Sequence, residues 1–104
     1  MPEYIPDKDS DVAVKQRQEV KTPRRYRVLL HNDNYTTMDF VVFVLEEIYR
    51  KPHDEALRVM LNVHKNGTGV AGTYVKGIAE TKIARTHKEA RENGFPLKCS
   101  LEPE

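Results

Sequence analysis

Apolar and polar positions fall into no regular order over residues 1–25, where Pro2, Pro6 and Pro23 interrupt charges of both signs. Such a stretch buries too little apolar surface to offset the entropy of ordering it, so a disordered N-terminal tail is expected there. The pattern changes at Tyr26: Tyr26, Val28 and Leu30 alternate with Arg27, Leu29 and His31, which predicts a short strand with one face inward. A polar loop follows over 31–37, where Asn32, Asp33 and Asn34 favour turns by bonding their own backbone.

Over 38–51 a β-branched run, Val41, Val42 and Val44, competes with the helical spacing of Met38, Val41, Leu45 and Ile48. The spacing predicts a helix, and Thr36 with Asp39 three positions on resembles a capping box. Pro52 suits the first position of a second helix, with Asp54 and Glu55 at its positive end and Ala56, Met60 and Val63 along one face. Asn66 and Gly67 stop it. Gly69 and Gly72 among Val70, Thr73, Tyr74 and Val75 predict a bent strand, and a third helix then turns Ala79, Ile83 and Ala90 inward before Asn93 and Gly94. Strict alternation from Leu97 to Leu101 predicts a last strand. The order β-α-α-β-α-β describes one α+β domain over 26–104, a three-stranded, mostly antiparallel sheet with three helices on one face.

Composition removes whole classes of partner. Seventeen Lys and Arg against sixteen Asp and Glu leave a formal net charge of +1, too little for a global pull toward nucleic acid or anionic lipid. Neither is expected as a partner. No apolar run reaches the roughly 18–20 residues that span a bilayer, and the single cysteine, Cys99, fits a reducing compartment. These features point to a cytoplasmic protein.

Candidate chemistry is sparse. His31, His53, His64 and His87 show no HxxxH or HxH spacing, and Gly67-Thr68-Gly69 lacks the context of a phosphate loop, so neither a metal nor another cofactor is expected. Cys99 sits at an inward strand position between Leu97 and Leu101, where a free cysteine is a packing residue, and no catalytic residue is assigned. A Cys–His hydrolase would require Cys99 exposed and within reach of His64. A translation-factor-binding domain of similar architecture would require an exposed basic face. Taken one at a time, Asn32 to Asn34 read as turn chemistry, His64 as a surface histidine, and Met38, Val41, Met60 and Val63 as core.

Taken together they read differently. The words Asn32-Asp33-Asn34-Tyr35-Thr36-Thr37-Met38-Asp39-Phe40-Val41, Met60-Leu61-Asn62-Val63-His64, Ala79-Glu80-Thr81-Lys82 and Pro96-Leu97-Lys98-Cys99-Ser100-Leu101-Glu102 stand in order along the chain. They resemble the ClpS family, adaptors of the Clp AAA+ protease, over about residues 26–102. The resemblance implies a non-enzymatic monomer that binds proteins with a free N-terminal Phe, Tyr, Trp or Leu and passes them to the N-terminal domain of a ClpA-like unfoldase. It implies an amino-group cage at Asn32, Asp33, Asn34 and His64. It places an apolar pocket at Thr36, Met38, Val41, Met60, Val63 and Leu97, with Met38 as a gate against β-branched residues. Docking to the unfoldase falls on Glu80, Thr81 and Lys82, and the tail acts in hand-over. Two positions depart from the family pattern: Asn34 where Asp is common, which removes a negative charge beside the bound ammonium, and Gly77 where Glu is common.

Overall fold

The computed structural model describes residues 22–104, so the expected tail lies outside the described residues except for its last few positions. Six elements follow in the expected order: β1 (Arg25–His31), α1 (Met38–Glu47), α2 (His53–Asn66), β2 (Thr68–Val75), α3 (Lys76–Glu92) and β3 (Lys98–Pro103). The strands form one antiparallel sheet in the order β2-β1-β3. β1 is central because its inward side chains, Val28 and Leu30, need cover from every side, and both are fully buried. The three helices supply that cover from one face.

Local chemistry sets the ends of the helices, and in three places it corrects the expectation. Thr37, not Thr36, caps α1: its hydroxyl accepts the Phe40 N–H at 3.1 Å. Thr36 is instead held by Asp33, as described below. Pro52 precedes α2 as its cap, with extended backbone, so the helix begins one residue later, at His53. α1 ends early, at Glu47 rather than near Lys51, because the chain turns through Arg50 at a φ of 57° ahead of Pro52. Gly67 ends α2 in the left-handed region that a side chain resists, at a φ of 89°.

The core joins Val28 and Leu30 to Val44 and Leu45 of α1 and to Ile48 just beyond it, with the Phe40 and Phe95 rings tilted against each other, centroids 4.8 Å apart. Where the turn after α1 meets α3 the core holds a satisfied polar pair, Tyr49 Oη to Thr86 Oγ1 at 2.8 Å. Thr86 also donates to the Lys82 carbonyl at 2.8 Å, so no buried hydroxyl of the pair lacks a partner. α2 approaches β2 so closely that a Cβ on Gly69 would meet Val63 Cγ2 at 2.7 Å. That contact seats the His64 end of α2 against the sheet.

Candidate functional site

Where β1 gives way to α1, the loop after His31 bends back toward the end of α2. Asp33 shapes the bend. Its Oδ1 accepts the N–H groups of Tyr35 at 2.8 Å and Thr36 at 2.6 Å, and its Oδ2 accepts the Thr36 hydroxyl at 2.7 Å. A carboxylate offers about four lone-pair sites, so one on Oδ2 stays available. Partial burial works to raise the Asp33 pKa, but the bonds from Thr36 and Tyr35 outweigh it and hold the carboxyl below its ordinary 3.8. The group is an anion at neutral pH.

The other end of the bend is tied by backbone alone. The Asn32 N–H donates to the Gly67 carbonyl at 2.9 Å, and the Gly67 N–H donates to the Val63 carbonyl at 3.0 Å. The loop is thereby fastened to the last turn of α2, which carries His64. Sequence reading took Gly67 only as a helix stop; its role in placing Asn32 depends on a contact between distant segments.

Between loop and helices lies a cavity of about 260 Å³, lined by Asn32, Asp33, Asn34, Thr36, Met38, Val41, Met60, Val63 and His64. That is below the roughly 300–1,000 Å³ of a drug-sized pocket and suits a single side chain. Its lining is two-sided: carbonyl, carboxylate and imidazole acceptors along the loop and His64, and aliphatic groups from α1 and α2. Met38 is 44% exposed and stands at the mouth rather than in the core.

Leu97 is the one expected pocket residue outside this lining. It is 3% exposed and packs into the core just ahead of β3, where the surface beside it belongs to a separate depression with His87 and Cys99. Its position after Pro96 points it into the core, which alternation alone could not distinguish from the pocket.

On α3 the expected docking residues divide. Thr81 and Lys82 border a shallow depression with Val75, Gly77, Ile78 and Arg85, and Glu80 is exposed outside it. Lys82 is turned back on the core: its Nζ donates to the Ile48 carbonyl at 2.8 Å and lies over the rings of Tyr49 and Tyr74 at 5.8 and 5.2 Å. Burial, and then the charges of Arg85 and Arg50, lower its pKa.

Cys99 is poorly placed for catalysis. Burial pushes its thiol up to about 11, and the neighbouring histidine, His87, uses Nε2 to accept the Cys99 backbone N–H at 3.0 Å. His64 lines a different hollow. Among the described residues no group of His, Cys, Asp and Glu is arranged to hold a metal ion, and no helix is long and apolar enough to cross a membrane.

Comparison with known proteins bears on these features. Residues 21–100 match the family model described as ATP-dependent Clp protease adaptor protein ClpS. The chain is 55% identical over 94 residues to the ATP-dependent Clp protease adapter protein ClpS of Oleidesulfovibrio alaskensis, a match covering 90% of this chain and 88% of that one. With the adapter of the same name from Myxococcus xanthus it shares 53% over 88 residues, 85% of this chain and 82% of the other. Among solved structures, Agrobacterium tumefaciens ClpS2 bound to L-phenylalaninamide superposes with a TM-score of 0.76 at 40% identity, covering 80% of this chain and all of that one.

Proposed function

The chain belongs to the ClpS family, adaptors of the ATP-dependent Clp protease and not enzymes, and from that premise we propose that it grips proteins by a free N-terminal Phe, Tyr, Trp or Leu and delivers them for degradation. The observation that carries the reading is the meeting of nine expected residues around one hollow of single-residue size. The likeness to ClpS2, whose structure holds L-phenylalaninamide, supports it: that ligand is an aromatic residue with a free amino group.

An α-ammonium has three donors in a tetrahedral spread. Asp33 through its remaining lone pair, the amide oxygens of Asn32 and Asn34, and a neutral His64 nitrogen accept from it. An acetylated or internal peptide nitrogen leaves these acceptors unpaired, which enforces selection for a chain end. The side chain enters between Thr36, Val41, Met60 and Val63, with Met38 at the rim. Each charge-assisted bond contributes about 1.5–3 kcal/mol, and burying a Leu- or Phe-sized group about 1.5–3 more. Less the cost of association, this corresponds to an affinity on the order of micromolar, which lets a carrier release its cargo.

Delivery uses a second surface. Glu80, Thr81 and Lys82 dock on the N-terminal domain of a ClpA-like unfoldase, with the adaptor acting as a monomer in the cytoplasm. Lys82 serves there by fixing the α3 surface through its bond to Ile48 as much as by its charge.

The test is fluorescence anisotropy with a peptide that begins with free Phe and with its N-acetylated twin. The free peptide binds and the acetylated one does not; equal binding of the two ends the reading. Shortening Met38 to Ala widens the rim and admits peptides beginning with Ile or Val, which the natural chain refuses.

A further inference from the structure

The cavity assigned to the first residue does not stand alone. Its loop wall, Asn32 to Asn34, is shared with a second cleft of about 490 Å³ that continues past Tyr35 to Pro96 and Lys98. Pro96 and Lys98 are shared in turn with a third hollow of about 340 Å³, which follows the seam between α3 and β3 past Arg91. The three are consecutive segments of one track leading away from the amino cage.

Strand register accounts for the continuity. Lys98 lies opposite His31 in the β1–β3 pairing, one chain step from Asn32. Antiparallel partners stand about 4.5–5.5 Å apart, and an extended chain advances about 3.3–3.6 Å per residue. A polypeptide whose ammonium rests against Asn32 therefore brings its second and third residues within reach of Lys98, and later ones toward Arg91.

Beyond the cage, the permanent charge along this track has one sign. Lys98 and Arg91 are exposed cations. The carboxylate in its walls, Asp33, belongs to the cage, where its remaining lone pair faces the cavity that takes the ammonium. Burial, and then the charges of Arg91 and Lys98, lower the His87 pKa, and its Nε2 is already taken up in accepting the Cys99 backbone N–H, so it adds no cation of its own to the track. Tyr35, 76% exposed, offers a ring at the point where the track leaves the cage.

We propose that this track is a subsite for the residues following the gripped one, and that it favours Asp or Glu at positions two to five of the cargo. The inference rests on the amino-terminal reading above and adds a second criterion of selection to it. Its energetic weight is that of solvent-exposed ion pairs, so it ranks cargoes rather than deciding admission.

The test uses the full chain and three ligands: L-phenylalaninamide, which has no second residue, and two fluorescent peptides that begin with free Phe and carry Glu or Lys at positions two to five. The Glu peptide is expected to bind about three- to tenfold more tightly than the Lys peptide at low salt, with the gap narrowing as salt is added. Lys98→Glu and Arg91→Glu each shrink that ratio, and together they reverse it. Equal binding of the two peptides, a preference for Lys, or a ratio indifferent to both substitutions overturns the inference while binding of phenylalaninamide leaves the first-residue reading intact. Failure of phenylalaninamide to bind overturns that reading, and the track with it.

Discussion

Asp33 shows why single residues at this site resist being sorted into structural and functional. Three of its four acceptor positions hold the loop and one faces the cavity, so Asp33→Ala removes a turn and a ligand together. Asp33→Asn separates them. The amide keeps an oxygen for the N–H groups of Tyr35 and Thr36, and its nitrogen can donate to the Thr36 hydroxyl, but the charged acceptor for the ammonium is gone. We expect the Tm to change little, while affinity for a free-Phe peptide falls by about 1.5–3 kcal/mol, roughly ten- to hundredfold. Retained affinity with a lowered Tm would make Asp33 a loop residue only. Turn chemistry was legible in the sequence because its bonds run two and three positions along the chain. The exposure of Met38 and the withdrawal of Leu97 were not, since each depends on which neighbour covers a side chain, and spacing along one element does not say.

At the scale of elements, what matters is how α2 and the loop after β1 are held in register. The helix stop at Gly67 was readable from Asn-Gly at the end of a periodic stretch. That its carbonyl receives Asn32 was not, because the partners are thirty-five positions apart and meet only through β1–β2 pairing, His31 opposite Thr68. The cap of α1 was missed by one residue for a related reason: Thr36 and Thr37 are equally good caps by type, and Asp33 had already claimed Thr36. Gly67→Ala follows from this geometry. Its Cβ would meet nothing within 4 Å, so the cost is conformational alone, about 1–2 kcal/mol for a left-handed alanine, or several degrees in Tm. Because the strain falls on the link between Asn32 and His64, peptide affinity drops as well. Gly77→Ala, also free of contacts but inside α3, serves as the comparison: it raises the Tm slightly and leaves peptide binding unchanged. Equal behaviour of the two variants would refute the link.

For the molecule as a whole, the fold order was legible because each element is a separate amphipathic unit, and the remaining question is how the assembled domain responds to acid. Two groups with known surroundings lose favourable states as pH falls. His87, lodged at the α3–β3 seam, has its pKa lowered first by burial and then by Arg91 and Lys98. Unfolded, it takes up a proton near its ordinary 6.5, so the stability it contributes is complete above that value and is lost as pH falls below it. Protonation also costs Nε2 its role as acceptor for Cys99, loosening the start of β3 from α3. Asp33 acts lower: its contribution is complete above 3.8 and is lost as pH falls through its depressed folded value. We expect the Tm, followed by circular dichroism at fixed ionic strength, to decline from pH 7.5 to 5.5 in the natural chain and to decline less in His87→Gln, whose side-chain oxygen can still accept from Cys99 but takes no proton. Parallel curves for the two chains would remove His87 from the acid response.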